Sequence, residues 1–328
     1  MHKTLSRFAH TTLIVGSLVG AAACSDDDAD VIKHDHAHDA STPDAEKDAA
    51  AGGKTQAVEI GFEARVRQKP FDCTQTYELG TEKTAVKPLD FKLYVHGLQL
   101  IGANGKAVDV ELEQDGKWQY KNVALLDFED DSGSCSNGTS AMNTKLVGRV
   151  PAGTYKGLTF KLGVPESMNH QNQATAESPL NVEGMFWSWL TGYKFLRIDV
   201  MPAHGAMAPQ ADAEDAGAGH AGPVMGFLVH LGSTVCSGNP MGSEGVECKR
   251  ANRPSASFAS FDVSKQKIVV DMATLLETSD VSMNKGGQPG CMSAPDDPEC
   301  EAIFEQLGLD LATGQSTGTP KFLSVTGP

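Results

Sequence analysis

Apolar and polar side chains alternate along most of this chain from about residue 57 onward. In the segment AVEIGFEARV, every second position is apolar: Val58, Ile60, Phe62, Ala64 and Val66. This period places their side chains on one face of an extended strand. Similar alternation recurs, between turn-forming Gly, Pro, Asn and Asp, in segments 90–102, 108–120, 144–150, 157–164, 193–200, 225–233, 256–263 and 265–272. The pattern predicts one all-β domain over residues 57–328, an antiparallel β-sandwich-like fold with long loops.

Helix signals are sparse. The segment PECEAIFEQLGL places Ile303, Phe304 and Leu307 on one helical face and ends at Gly308, which predicts one short C-terminal helix. Residues 204–222, HGAMAPQADAEDAGAGHAG, are low in complexity and separate two strand-like segments. We therefore expect a mobile loop there.

The N-terminus has the form of a secretory signal. Residues 1–24 contain Lys3 and Arg7, a short apolar stretch and the small-residue ending GAAAC. That ending resembles a bacterial lipobox, although Ala21 stands where such motifs usually have Leu, so we expect Cys24 to be lipidated. Cleavage at an alanine, without a lipid, is the alternative. We therefore expect an exported protein in the periplasm or cell envelope, with a lipid anchor in the outer membrane.

Residues 25–56 are acidic, rich in alanine and nearly free of large apolar groups, which predicts a disordered tether. The tether contains His34, His36 and His38, and such a tract can bind divalent metal weakly. The net charge of the chain is −15, which argues against nucleic acid as a partner.

Six cysteines remain when Cys24 is set aside, and an even set in an exported chain predicts disulfides. Two pairs are close enough in sequence to close short loops, Cys236 with Cys248 and Cys291 with Cys300, which would leave Cys73 with Cys135. The sequence alone allows other pairings. Zinc and redox motifs need cysteines closer together than these.

No motif for autonomous catalysis is present, and metal binding is the chemistry that the sequence supports. His96 and His230 lie out of phase with the apolar residues of their strands, and His170 lies in the segment PESMNHQNQ. Each could be a solvated or hydrogen-bonded residue. Three neutral imidazoles brought together by the fold would instead suit copper or zinc.

Trp187 and Trp189 are separated by one residue in MFWSWLTGYKF. They share a face if this segment is extended. Packing over the sheet is one explanation. Because tryptophan has the most easily oxidised aromatic ring, an oxidation or electron-transfer site is the other.

Six motifs in order resemble the MbnP-like family, the exported methanobactin-operon copper proteins also called metallo-mystery pair four-Cys motif proteins. The resemblance runs from about residue 57 to the C-terminus and excludes the tether and the 204–222 loop. The motifs are KPFDCTQTY, DFKLYVHGLQLI, NVALLDFED, FWSWLTGYKFLRID, GFLVHLGSTVC and PGCMSAPDDPECEAIFEQLGL.

The resemblance implies a non-catalytic protein that binds copper and has a di-haem cytochrome c peroxidase/MauG-like partner. In the family, that partner oxidises a tryptophan of a WxW motif to kynurenine, and copper binding depends on the change. Trp187 would be the oxidised residue, with Trp189 as a relay or alternative, and His96, His170 and His230 would be the copper ligands. The competing interpretations are a structural or adhesive surface lipoprotein and a zinc protein.

Overall fold

The computed structural model describes residues 53–136, 138–204, 208–209, 226–240, 242 and 245–327. The predicted signal peptide with Cys24, nearly all of the predicted tether and most of the 204–222 loop lie outside these residues. No helix within the described ranges is long and apolar enough to cross a bilayer.

Strands dominate the described part of the chain. In chain order they are β1 (Thr55–Val66), β2 (Lys69–Pro70), β3 (Tyr77–Leu79), β4 (Thr84–Gly102), β5 (Ala107–Asp109), β6 (Glu111–Leu112), β7 (Gln119–Tyr120), β8 (Val123–Asp127), β9 (Lys145–Pro151), β10 (Tyr155–Leu162), β11 (Phe186–Ser188), β12 (Gly192–Tyr193), β13 (Leu196–Pro202), β14 (Ala208–Pro209), β15 (Phe227–Leu231), β16 (Thr234–Asn239), β17 (Gly245–Arg250), β18 (Ser255–Phe258), β19 (Lys267–Asp271), β20 (Met283–Asn284), β21 (Gly290–Cys291) and β22 (Leu323–Val325).

Two large sheets form the fold. One contains β22, β19, β1, β9 and β6 in that order, with β2 beside β1. The other follows the order β18, β10, β4, β13, β15 and β21, with shorter strands attached to β4 and β8. Phe62 of the first sheet and Phe160 of the second meet edge to face at 5.8 Å, so aromatic side chains fill the space between the sheets. The all-β, sandwich-like prediction is confirmed.

Two details differ from the prediction. Most strand pairs are antiparallel, but β1 with β19, β14 with β20 and β15 with β21 are parallel. The first strand begins at Thr55, two residues inside the segment predicted to be tether.

Strand β4 is the centre of the larger sheet. Its residues from Phe91 to His96 are all buried, so the alternation that predicts a half-buried strand fails there. The segment that follows β10 covers the second face: the Tyr94 hydroxyl donates to the Pro179 carbonyl at 2.7 Å, and the Tyr94 and Tyr193 rings lie 5.9 Å apart. Out-of-phase polar residues of β4 are therefore enclosed rather than solvated.

Three short helices are present in the described ranges: α1 (Glu166–Asn169), α2 (Met272–Leu276) and α3 (Cys300–Gln306). Helix α3 is the predicted C-terminal helix, and Gly308 follows it with a φ of +63°, a left-handed conformation that glycine adopts without strain. Three disulfides join Cys73 to Cys135, Cys236 to Cys248, and Cys291 to Cys300.

Candidate metal centre

The two neighbouring tryptophans lie on a short hairpin formed by β11 and β12. Phe186 pairs with Tyr193 and Ser188 with Gly192, with a register shift between the two pairs. The Ser188 hydroxyl accepts a hydrogen bond from the Thr191 amide at 3.1 Å and closes the turn. Strand β11 ends at Ser188, so Trp187 lies in the strand while Trp189 lies in the turn.

The environments of the two tryptophans differ accordingly. Trp187 is half-buried, and its ring meets the His230 ring at 6.1 Å between centroids with an interplanar angle of 61°. Trp189 is 39% exposed. The strand ends at Ser188, so the extended segment on which a shared face depends does not include Trp189.

Gly232 provides the space for Trp187. A β-carbon at position 232 would lie 2.6 Å from the indole Cζ3 and 2.8 Å from the Tyr193 carbonyl oxygen, too close for any other residue. The glycine backbone is held in place by Ser293 Oγ, which accepts from its amide at 3.1 Å, and by Asn252, which donates to its carbonyl at 2.8 Å. The indole thus rests directly on the chain just after His230.

His230 is buried and fixed by a carboxylate. Its Nε2 lies 2.8 Å from Asp199 Oδ1, and Arg197 Nε donates to the other Asp199 oxygen at 2.7 Å. Burial alone would raise the pKa of Asp199, but its contacts with His230 and Arg197 outweigh burial and lower that pKa. A carboxylate on Nε2 holds the proton there and leaves Nδ1 as the nitrogen with a free lone pair.

The Asp199 carboxylate belongs to a buried charged network on the same face of the larger sheet. Arg197 Nη1 lies 3.2 Å from Asp90, and Lys92 Nζ lies 3.0 Å from Asp90 and 3.5 Å from Asp127. Glu129 contacts the same lysine. Burial raises the pKa of Asp127 to about 7, against the opposing charge of Lys92.

His96 lies within β4, paired with Val123 of β8, and is 7% exposed. Its Nδ1 lies 2.8 Å from the Gly163 carbonyl oxygen, which accepts the Nδ1 proton and leaves the Nε2 lone pair free. Burial lowers the pKa of His96 to about 4. The imidazole is consequently neutral at neutral pH, the form in which it binds metals.

His170 follows helix α1 and contacts several polar groups through one atom. Its Nε2 lies 3.2 Å from Asn169 Nδ2, 3.4 Å from Glu166 Oε1 and 3.5 Å from Cys248 Sγ. Its Nδ1 is buried and has no hydrogen-bond partner. An unpaired nitrogen in this position costs free energy unless a ligand satisfies it.

All three predicted histidines connect to the segment 186–195. His230 contacts Trp187 directly. His170 is connected through Asn169, whose Oδ1 accepts from the Tyr193 amide at 3.1 Å. His96 is connected through Gly163, whose carbonyl it contacts. Gly163 packs closely on Phe195, since a β-carbon there would lie 2.6 Å from the Phe195 ring.

Closer convergence of the three imidazoles is not seen in the described ranges. Two groups of three potential ligands have donor atoms within 4.8 Å of one another there: Glu166 with His170 and Cys248, and Asp297 with Cys291 and Cys300. Neither includes His96 or His230. The assignment of the three histidines as one ligand set stays a prediction.

Sequence reasoning missed several residues of this region. Glu166 could have been found, because it precedes His170 by four positions, the spacing of neighbours on a helix. Asp199 and Cys248 gave no such signal, because they reach their histidines only through strand pairing and loop packing.

A family model described as MbnP matches residues 55–293. The chain belongs to the MbnP family. Among solved structures, MbnP from Methylosinus trichosporium is similar to it, with 35% sequence identity and a TM-score of 0.71 over 83% of this chain and 98% of that one. A comparison with curated proteins gives no match. Membership in the MbnP family associates the chain with methanobactin-related copper proteins.

The donor groups of this MbnP-family chain suit copper. His96 is neutral and has a free Nε2. His230 uses Nε2 for Asp199 and its ring contacts the Trp187 ring. The buried Nδ1 of His170 has no partner. Imidazole nitrogens favour copper and zinc over hard cations such as Mg²⁺ or Ca²⁺. The residues present therefore fit the metal that the family implies.

Proposed function

We propose that this chain is an exported, non-catalytic copper-binding protein in which oxidation of Trp187 to kynurenine completes the metal site. The oxidant would be a di-haem cytochrome c peroxidase/MauG-like partner, and Cys24 would anchor the mature protein to the outer membrane. The observation that carries the proposal is the contact between the Trp187 and His230 rings. It would place the product of tryptophan oxidation beside an imidazole.

The oxidation changes what the side chain can bind. Cleavage of the indole C2–C3 bond by two equivalents of hydrogen peroxide gives N-formylkynurenine and two waters, and hydrolysis then releases the C2 carbon as formate. Indole nitrogen is only a donor, whereas the kynurenine product has an aryl amine with a lone pair and a ketone oxygen. Copper would then be held by this group together with histidines from the set His96, His170 and His230.

The location of the two tryptophans favours Trp187 as the oxidised residue. Trp187 contacts a candidate ligand and is half-buried, whereas Trp189 is 39% exposed in the hairpin turn. Trp189 is well placed to meet a partner protein first. In this proposal it passes an oxidising equivalent to Trp187 and is not itself converted.

Intact-mass analysis of protein co-expressed with the di-haem partner tests the proposal. We expect the net loss of one carbon and gain of one oxygen in the wild type, mapped by peptide sequencing to Trp187. The change should vanish in Trp187→Phe. In the matched variant Trp189→Phe it should still occur, at a reduced rate. An unmodified wild type that takes up no copper under these conditions contradicts the proposal and favours a structural or adhesive lipoprotein.

Copper binding must be separated from binding by the histidine-rich N-terminal segment. Deletion of residues 25–52 removes His34, His36 and His38 but keeps β1, which begins at Thr55. The modified, shortened protein should bind copper, and excess zinc should not displace it. Displacement of Cu²⁺ by zinc, seen as replacement of the protein-bound paramagnetic resonance signal by that of aqueous Cu²⁺, would favour the zinc alternative.

A further inference from the structure

The three disulfides within the described residues differ in exposure. Cys73, Cys135, Cys291 and Cys300 are between 0% and 3% exposed. Cys236 and Cys248 are both half-buried, and they face each other across the β16–β17 hairpin. Exposed disulfides are the ones that exchange with external thiols. The Cys236–Cys248 bridge is therefore the one that a small dithiol reaches most readily.

Cys248 borders a set of potential metal ligands. Its Sγ lies 3.5 Å from His170 Nε2, and Glu166 Oε1 lies 3.4 Å from the same nitrogen. The three donor atoms lie within 4.8 Å of one another. In the disulfide the sulfur is a poor ligand, because metals bind the thiolate. Reduction of one bond would thus turn this contact into a sulfur, nitrogen and oxygen donor set.

The surrounding structure would hold these donors after reduction. The hairpin pairs Thr234 with Arg250 and Ser237 with Glu247 on either side of the bridge, so strand pairing still joins the two strands when the disulfide is reduced. Glu166 is oriented by Arg253, whose Nη2 lies 2.8 Å from Glu166 Oε2. This ion pair engages Oε2, and Oε1 is the oxygen that lies 3.4 Å from His170 Nε2.

We propose that Glu166, His170 and Cys248 form a thiol-gated zinc site, which opens when a dithiol reduces the Cys236–Cys248 disulfide. The dithiol is oxidised to its own disulfide, and its two electrons and two protons convert the bridge to two cysteine thiols. Cys248 then binds Zn²⁺ as the thiolate and releases its proton. Imidazole, thiolate and carboxylate are all usual zinc ligands, and a water would complete four-coordination. The site needs no tryptophan oxidation, although it shares His170 with the proposed copper site.

A matched pair of variants tests this site in the full chain without reductant and without the di-haem partner. Cys236→Ser and Cys248→Ser remove the same disulfide and should lose similar stability, but Cys236→Ser alone leaves a free thiol beside His170. Co²⁺ is the probe, because thiolate ligation gives it a charge-transfer band in the near ultraviolet. We expect the band, and at least about tenfold tighter binding, in Cys236→Ser only.

Two further measurements complete the test. The band should disappear in Cys236→Ser/His170→Gln, which keeps the thiol and removes the imidazole. In wild-type protein partly reduced with a dithiol, Zn²⁺ should slow alkylation of Cys248 but not of Cys236, a result that does not depend on either variant folding. Equal Co²⁺ binding by the two single variants, or equal alkylation of the two cysteines in zinc, would overturn the proposal. Because no modified tryptophan is involved, such a result would leave the copper proposal untouched.

Discussion

The ring of Trp187 lies edge to face against the ring of His230, with 6.1 Å between their centroids. The two residues are distant in sequence, and β15 brings His230 to the hairpin through its pairing with β13. This contact joins the residue proposed for oxidation to a proposed ligand. Four predictions follow from the groups around it and from the bridges that hold the domain.

Gly232→Ala should displace Trp187. The new methyl group would lie 2.6 Å from the indole, so the ring must move, at a cost of about 1–3 kcal/mol in stability. We expect a shifted tryptophan fluorescence maximum and a lower yield of oxidised Trp187. Gly318→Ala is the control, because a β-carbon there meets nothing within 4 Å. A shifted spectrum with an unchanged yield of oxidised Trp187 would show that the contact has no role in the oxidation.

Asp199→Asn should weaken copper binding by roughly 10–100-fold, the usual effect of losing a carboxylate that orients a histidine ligand. The variant should also change the nitrogen NMR shifts of the His230 ring in metal-free protein, because the proton is no longer held at Nε2. Asp90→Asn is the matched control: it disturbs Arg197 and Lys92 but leaves the His230 contact intact. Equal losses of copper affinity in the two variants would argue that Asp199 acts only through folding.

Asp127 should make the stability of the protein depend on pH. Burial raises its pKa from 3.8 to about 7, so the folded state binds a proton more tightly than the unfolded chain. The contribution of Asp127 to the free energy of unfolding is fully present below about pH 4 and falls as the pH rises toward 7. Above about pH 7 it no longer changes.

Urea unfolding at two pH values checks this expectation. Between about pH 5 and pH 8, the wild type should lose on the order of 2 kcal/mol more than Asp127→Asn, which has no charge to bury. Glu78→Gln, at an exposed position, should behave as the wild type does. The same pH dependence in Asp127→Asn and the wild type would assign the effect to other groups.

Removal of the Cys73–Cys135 bridge should cost more stability than removal of Cys291–Cys300. The two bridges are similarly buried but span 62 and 9 residues, which corresponds to about 4 and about 2.5 kcal/mol of loop-closure entropy. Double serine variants compared by denaturant unfolding measure the difference. A larger loss for the Cys291–Cys300 pair would mean that packing around α3 outweighs chain entropy.

The alternation of apolar residues was enough to predict the all-β class, and the spacing of Ile303, Phe304 and Leu307 was enough to predict α3. The same reasoning failed for β4, because a chain segment covers its second face and no local pattern records that cover. It also could not show where the strand containing Trp187 ends, and that strand stops at Ser188, before Trp189. The period of apolar residues describes one strand by itself. The burial of both faces of β4 and the end of β11 at Ser188 depend on neighbouring parts of the chain.

Individual site residues could be named from motif context, but their partners could not. His230 was a candidate from its motif, whereas Asp199 enters only because β13 pairs with β15 and places an aspartate within 2.8 Å of the imidazole. His170 was likewise a candidate, and Cys248 reaches it from 78 residues away. Tertiary packing sets these distances, and no short motif in a single sequence records them.

Strand β1 pairs in parallel with β19, so Gly61 near the start of the domain is matched with Lys267 near its end. Such pairing must close a very long loop before its contacts stabilise anything, and folds dominated by distant contacts form slowly, in milliseconds to seconds. The first sheet cannot be completed until the last quarter of the chain is available. Folding of this domain should therefore follow synthesis rather than accompany it, and a nascent chain should offer neither a formed Trp187–His230 contact nor a metal site.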